Sequence, residues 1–196
     1  MVLGSYQDTR ALDECEKIPG WNDKRIRMFP AEMRYMEYVV PCTGSDTPEL
    51  LRLMNEFFPY IEADFASVLD RLHDENFTFL KFHYHEQLLG YIEFESLEER
   101  PSVVRLNGIA VRKDAQGQGV GKDLMLAGMK AMHEKGFEKI FLLVAKDNAT
   151  AKKLYSQLGF QFHQMHEHEI AGKEAEEWEC VIGDARILPP HQDLSE

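Results

Sequence analysis

The stretch VRKDAQGQGVGK, residues 111–122, places three glycines within five positions. An apolar segment precedes it and a segment of helical composition follows, so the pattern predicts a loop between a strand and a helix. Glycine loses much conformational freedom on folding, and such a density indicates a function. A loop without Cβ atoms can present successive backbone N–H groups to a ligand, and the helix that follows adds unpaired donors and partial positive charge. The sequence therefore predicts a phosphate-binding loop.

Two familiar phosphate loops do not fit this stretch. A Walker loop requires a glycine where this chain has Gln116, and a serine or threonine where Asp123 follows Lys122. The dinucleotide pattern G-x-G-x-x-G would require a third glycine at Lys122. The pattern that matches is Q-x-x-G-x-G, with glycines at 119 and 121. Taken alone, the loop is also compatible with a glycine-rich turn that serves only tight packing.

Two further segments accompany the loop. They are LNGIAV at 106–111 and NATAKKLYSQLGF at 148–160. Together with the loop at 116–121, they resemble the two signature blocks of the GNAT superfamily of acyl-CoA-dependent N-acetyltransferases. The resemblance covers roughly residues 33–183.

The order of predicted elements is β-α-α-β-β-β-α-β-α-β-β, which resembles the α/β (α+β) fold of that family. This fold implies a mixed central sheet of about seven strands and four main helices, with the strands at 103–111 and 140–145 splayed apart. The predicted strands are 33–40, 77–84, 88–95, 103–111, 140–145, 160–170 and 176–182, and the predicted helices begin after Thr47, near Ile61, at Lys122 and after Asn148.

We predict one domain at 35–184, preceded by an extension at 1–34 and followed by a tail at 185–196. The closing hairpin leaves an edge strand that offers a pairing surface for a homodimer.

The resemblance implies that acetyl-CoA is the co-substrate and lies in the cleft between the splayed strands. Backbone groups of Ile109, Ala110 and Val111 would pair with the pantetheine chain, and an N–H of this strand would meet the acetyl oxygen as it becomes anionic. The loop amides would bind the pyrophosphate, with added charge from Arg112 and Lys113. The cofactor-binding residues of that loop are Gln116, Gly117, Gln118, Gly119, Val120, Gly121 and Lys122.

Two residues of the second block have implied roles. Asn148 would contact pantetheine, and it also suits an ordinary helix N-cap. Tyr155 lies seven residues further on, where the family pattern has a tyrosine that protonates the departing thiolate; a phenol of pKa ~10 can donate at neutral pH. The alternative for Tyr155 is a buried core residue.

The general base is harder to place. An amine of pKa ~10.4 is mostly protonated at neutral pH, so its attack requires a proton acceptor. Branches of the family place a glutamate at positions that correspond here to Arg105 or Leu143, so neither base is present. Glu93 and Glu95 are the nearest carboxylates and share one face of their strand by the period of two. We take them as the candidate bases, against the alternative of solvated acids on a sheet edge.

The composition of the chain limits the kinds of partner that it is expected to bind. The 196 residues carry a net charge of −12, which disfavours nucleic acid and favours a cationic amine acceptor. Residues 112–153 carry nine Lys and Arg against five Asp and Glu, so an anionic ligand belongs there. We find no stretch of ~18 apolar residues and no signal peptide, and we expect a cytoplasmic protein without a membrane partner.

The cysteines, histidines and methionines are not expected to form disulfides or a metal site. The three cysteines, odd in number and widely spaced, are predicted to be free thiols. No ligand spacing around the histidines at 163, 166 and 168 supports a metal site, although His166 and His168 are expected to share a strand face. Met125, Met129 and Met132 follow helical spacing and are predicted to be core residues.

The sequence thus predicts an enzyme that transfers an acetyl group from acetyl-CoA to a primary amine by direct attack with both substrates bound. The acceptor could be a protein lysine or N-terminus, a polyamine or another small cationic amine. The alternative is a non-catalytic acyl-CoA-binding sensor or regulatory module, which the missing glutamates at positions 105 and 143 support.

Overall fold

The computed structural model describes residues 38–183. The predicted extension at 1–34, the tail at 185–196, the start of the first predicted strand and Cys15 lie outside the described residues.

Seven strands form one mixed sheet, in the order β1-β2-β3-β4-β5-β7-β6. Only β4 and β5 run parallel, and every other neighbouring pair is antiparallel. The element order of the prediction is confirmed. The strands are β1 Val39–Pro41, β2 Phe77–Tyr84, β3 Gln87–Ser96, β4 Val103–Val111, β5 Lys139–Ala145, β6 Gln161–Met165 and β7 Ala175–Val181, and the α-helices are α1 Thr47–Phe57, α2 Phe65–His73, α3 Val120–Glu134 and α4 Ala149–Gln157.

The sheet separates two apolar clusters. The larger one lies between the sheet and α3 with α4, and it buries Met125, Met129 and Met132 as predicted. The smaller one lies between the opposite face of the sheet and α1 with α2, where Leu50, Leu53 and Met54 are buried. Strand β3 contributes to both because its side chains alternate between the faces.

Several boundaries differ from the prediction because capping groups decide them. The N-cap of α1 is Asp46, and Thr47 is its first residue, with Oγ1 donating to the Gly44 carbonyl. Helix α2 begins at Phe65 because Asp64 accepts a hydrogen bond from the Ser67 N–H; this leaves Ile61 in the loop before the helix. The α3 helix begins at Val120, two residues earlier than expected.

The closing hairpin is shorter than predicted. Strand β6 ends at Met165, so His166 and His168 do not share a strand, although their rings meet edge to face at 5.8 Å. All five residues of β6 are exposed at the edge of the sheet. The homodimer therefore stays a prediction, and the exposed edge strand β6 is the surface through which it would form.

Helix α3 lies unusually close to β3. A Cβ atom added at Gly128 would be 2.5 Å from Cε2 of Phe94, a side chain that is itself fully buried. Glycine at this position thus lets the helix that follows the glycine-rich loop approach the sheet closely.

Replacing Gly128 with alanine is expected to destabilise the protein by about 1–3 kcal/mol through overpacking. In a chain of this size each kcal/mol lowers Tm by roughly 2–4 °C. Gly121→Ala is the matched control, because the added Cβ would be 3.7 Å from Leu154 and Val111, an ordinary contact. Thermal unfolding of both variants measures the difference, and equal Tm values would contradict the close approach.

Candidate acetyl-CoA cleft and acceptor pocket

A cleft opens where β4 leaves β5. The two strands pair only from Val103 opposite Lys139 to Leu106 opposite Leu142. Beyond that point β4 pairs with β3 alone, and the rest of β5 pairs with β7 alone. The predicted splay of these strands is confirmed, and it leaves one edge of β4 free to bind an extended ligand.

The free edge of β4 can be assigned atom by atom. Arg112 donates its N–H to the Leu89 carbonyl at 2.8 Å. Because the hydrogen-bonding direction alternates along an antiparallel strand, Ala110 also faces β3, whereas Ile109 and Val111 direct their N–H and C=O groups toward the cleft. The Val111 carbonyl accepts from Gln116 Nε2 at 3.0 Å. Of the three residues expected to contact pantetheine, Ala110 is therefore excluded. The backbone groups that remain available are the N–H and C=O of Ile109 and the N–H of Val111.

The glycine-rich loop follows directly and ends at the start of α3. Gly117 and Gly119 adopt φ of 73° and 92°, values that disfavour side-chain-bearing residues. Gly119 is the N-cap of α3, and its carbonyl accepts the N–H of Asp123. The preceding N–H groups of the first turn lie before the first intrahelical bond, so they suit an anion at the helix N-terminus.

The side chains around this loop are already partly engaged. Arg112 forms a bidentate ion pair with Asp114, and Lys113 Nζ lies 3.0 Å from Glu56 Oε1. Lys122 is exposed and makes no ion pair with any other residue in the range 38–183. Backbone amides and Lys122 are therefore the groups best suited to a pyrophosphate, and the expected contribution of Arg112 is reduced by Asp114.

Two predicted site residues belong to the α4 region, which follows β5 at the cleft. Asn148 directly precedes α4, and Tyr155 lies within it. Asn148 is the N-cap, and its Oδ1 accepts the N–H of Ala151 at 3.1 Å. Tyr155 is buried and packs against Phe160, with ring centroids 5.7 Å apart. Its hydroxyl has no hydrogen-bond partner among the described residues. Burial, with a smaller contribution from the charge of Tyr60, raises the pKa of Tyr155 to about 12.

A pocket of about 410 Å³ lies on the other face of the sheet, between β3, β4 and the α1–α2 segment. One part of its wall is apolar, and the other carries five polar or charged side chains in a hydrogen-bonded row. The apolar lining includes Met54, Ile61, Ala63, Phe77 and Tyr91, and the row consists of Arg71, Glu93, Asn107, Glu95 and Arg105.

A β-bulge in β4 brings the polar side chains of this row within hydrogen-bonding distance of one another. Glu93 lies opposite Gly108 and Phe94 opposite Leu106, so Asn107 is the extra residue on β4. Asn107 donates from Nδ2 to Glu93 Oε1 at 3.3 Å and to Glu95 Oε2 at 2.9 Å. The bulge thus brings one amide between the two candidate carboxylates.

Each carboxylate also has an arginine partner. Arg71 Nη1, from α2, lies 2.5 Å from Glu93 Oε1, and Arg105 Nη2 donates to Glu95. Glu93 is only 3% exposed, and burial raises its pKa while Arg71 and Asn107 act in the opposite direction. The alternative of solvated acids on a sheet edge is wrong for Glu93, which is buried on an interior strand, whereas Glu95 on the same strand keeps a partly exposed side chain.

Gly108 lines the pocket and also lies on the part of β4 that no longer pairs with β5. A Cβ added there would be 3.3 Å from the ring of Phe58 and 3.7 Å from the Tyr91 hydroxyl. Tyr60, whose ring packs edge to face on Phe58, raises the pKa of both Tyr91 and Tyr155 through its charge, in each case after the larger effect of burial. Gly108 is thus shared by the lining of the pocket and the strand edge at the cleft.

A family model for the "Acetyltransferase (GNAT) family" matches residues 47–160, which include the loop, both splayed strands and Tyr155. The chain belongs to the GNAT acetyltransferase family. The resemblance deduced from the sequence motifs is thereby confirmed.

A mycothiol acetyltransferase from Saccharopolyspora erythraea is 30% identical over 166 residues, which cover 81% of this chain and 49% of that protein. Across eight mycothiol acetyltransferases the match covers 17–49% of the relative's length. The chain thus spans at most about half of these relatives.

Solved structures agree on the GNAT fold. Ribosomal-protein-alanine N-acetyltransferase from Brucella melitensis superposes with a TM-score of 0.66 at 18% identity, covering 73% of this chain and 98% of that one. PaiA N-acetyltransferase from Thermoplasma acidophilum, solved in complex with coenzyme A, gives a TM-score of 0.61 at 16% identity, covering 73% and 97%.

Sequence reasoning missed two residues of the candidate site, namely Arg71 and Asn107. The Asn107-Gly108 pair inside an otherwise apolar strand was the available signal, since both residues are unfavourable in strands and mark bulges. Arg71 carries no such local signal, because only tertiary packing brings it to the pocket.

Among the helices of the described residues, none has the length and hydrophobicity needed to cross a bilayer. Within residues 38–183 no three His, Cys, Asp or Glu side chains are grouped so as to hold a metal ion.

Proposed function

We propose that this protein transfers an acetyl group from acetyl-CoA to a primary amine, with the two substrates entering from opposite faces of the sheet. The observation that supports this most is the position of Gly108, which lines a pocket containing the buried carboxylate of Glu93 and lies on the part of β4 that no longer pairs with β5. Acetyl-CoA, when bound, supplies the thioester whose carbonyl carbon the amine attacks, with release of the CoA thiol.

The cleft residues fit this ligand. The free edge of β4 offers Ile109 and the Val111 N–H to an extended chain, and the N-terminus of α3 offers unpaired amides to phosphate. Both groups act through the backbone, so the fold itself positions them. The N–H of Ile109 faces the cleft next to Gly108 and is suited to stabilise an oxygen that becomes anionic.

Glu93 is proposed as the proton acceptor. An amine enters as an ammonium ion and must lose a proton before it can attack. Burial raises the pKa of Glu93, which makes the carboxylate a stronger base than an exposed glutamate. Glu95 is proposed to support it, because it shares the Asn107 amide with Glu93 and is itself paired with Arg105.

Tyr155 is proposed as the proton donor to the leaving sulfur. Its hydroxyl is buried and lacks a hydrogen-bond partner among the described residues, so it is available to a ligand atom. The pKa of about 12 keeps the phenol protonated throughout the physiological range. A neutral phenol can donate to sulfur as negative charge develops there.

The function is tested by two measurements on the purified chain. Calorimetry with CoA and with acetyl-CoA is expected to show binding, and thiol release in the presence of a panel of primary amines is expected to exceed the hydrolysis background. Binding without amine-dependent release would instead support the acyl-CoA-binding module. Absence of CoA binding would exclude both.

Replacing Tyr155 with phenylalanine is expected to lower kcat by about 10²-fold or more, the lower range for loss of a general acid. The affinity for CoA should be unchanged, because the ring and its packing on Phe160 are retained. Steady-state thiol release and calorimetry measure the two effects separately. Unchanged turnover would remove Tyr155 from the mechanism.

A further inference from the structure

The charges that line the acceptor pocket are nearly balanced. Arg71 and Arg105 are cationic, whereas Glu62, Glu93 and Glu95 are anionic. Glu62 is exposed, and the two inner glutamates are each matched by an arginine. The pocket therefore differs from the protein as a whole, whose net charge is −12.

One buried oxygen of the row has no hydrogen-bond donor among the described residues. Both hydrogen bonds to the Glu93 carboxylate end on Oε1, from Arg71 and from Asn107. Oε2 has no donor among the residues from 38 to 183, although the side chain is 4% exposed. A buried carboxylate oxygen without a donor is costly, and an ammonium group would supply the missing hydrogen bond.

Apart from the exposed Glu62, the remainder of the pocket is unsuited to a second ammonium. Met54, Ile61 and Phe77 form an apolar wall, and burial of a charge against such a surface is unfavourable. On the polar side, both glutamates have an arginine partner, but Glu95 is far less buried than Glu93 and therefore gains less from a second cation. Glu95 is 22% exposed, so water can solvate its other oxygen.

We propose that the acceptor is a small primary amine that carries a single positive charge on an apolar body, and that the pocket discriminates against di- and polyamines. This inference rests on the proposed function and specifies its acceptor. Glu93 Oε2 receives the ammonium, and the apolar wall covers the body. A volume of about 410 Å³ suits a small molecule.

The test compares hexylamine with 1,6-diaminohexane, which share one stem and differ by a second ammonium. For acetyl transfer we expect kcat/KM to be at least about tenfold higher for hexylamine, a difference of about 1.4 kcal/mol. Calorimetry in the presence of CoA is expected to give the same order of affinities without any turnover. Equal or better use and binding of the diamine would overturn the proposal.

A charge variant tests the role of Arg105. Arg105→Gln leaves Glu95 uncompensated, so the preference for hexylamine should shrink at least about tenfold as the diamine gains a carboxylate partner. Arg100→Gln is the matched control, because Arg100 is exposed, stacks on Phe141 and lies outside the pocket lining. An equal change in both variants would mean that only overall charge matters, and would overturn the proposal.

The two measurements separate this inference from the function on which it rests. Selective binding of hexylamine with no thiol release from any amine would support the pocket's specificity and contradict the transferase. Thiol release with the diamine preferred would support the transferase and contradict the specificity.

Discussion

Replacing Glu93 with glutamine is expected to lower kcat/KM for acetyl transfer by about 10²–10⁴-fold, the range for loss of a general base. Glutamine preserves the shape of the side chain and can still accept from Arg71, but it cannot take a proton from the amine. The affinity for CoA should not change, because Glu93 lines the pocket and belongs neither to the free edge of β4 nor to the glycine-rich loop. Thiol release and calorimetry check the two expectations.

The pH profile gives a second readout of the same residue. Glu93 must be ionised to act as a base, and burial raises its pKa above the ordinary range for glutamate. We therefore expect kcat/KM to fall as the pH drops through that raised pKa, and this acid limb should disappear in Glu93→Gln. A structural role alone would lower activity without removing the limb.

Glu95→Gln is the matched control for Glu93→Gln. Both residues lie on the same face of β3 and accept from the Asn107 amide. Glu95 is more exposed, with 22% of its side chain accessible against 4% for Glu93. We expect a smaller loss and a retained acid limb, so an identical profile for the two variants would contradict the assignment of Glu93.

The fold was predictable because its signals are local. The apolar runs at 77–84 and 103–111 coincide with β2 and β4, and the Asn148 cap marks the start of α4. The splay of β4 from β5 followed only from the family resemblance, since no residue pattern encodes where two parallel strands stop pairing. The structure shows that pairing ends at Leu106, just before the bulged Asn107.

The acceptor pocket was only partly predictable. The period of two correctly placed Glu93 and Glu95 on one face of a strand. It could not show that this face is covered by α1 and α2, nor that Arg71 reaches Glu93 across 22 residues of sequence. Burial and pairing of a carboxylate are tertiary properties, and they turn two ordinary glutamates into candidates for catalysis.

Replacing Gly119 with valine is expected to weaken CoA binding by at least about tenfold, or about 1.4 kcal/mol. Gly119 has φ of 92° and ends the loop at the N-terminus of α3. A β-branched residue avoids this conformation, so the loop must rearrange and its amides lose their alignment toward the phosphates. Calorimetry with CoA measures the loss.

Gly136→Val is the matched control, because Gly136 has φ of 91° just beyond the other end of α3. Both variants impose similar backbone strain of at least about 1–2 kcal/mol, so thermal unfolding should show comparable decreases in Tm of roughly 2–4 °C for each kcal/mol. Only Gly119→Val should lose CoA affinity. If the two variants bind CoA equally well, the glycine-rich loop is a packing turn and the phosphate site must lie elsewhere.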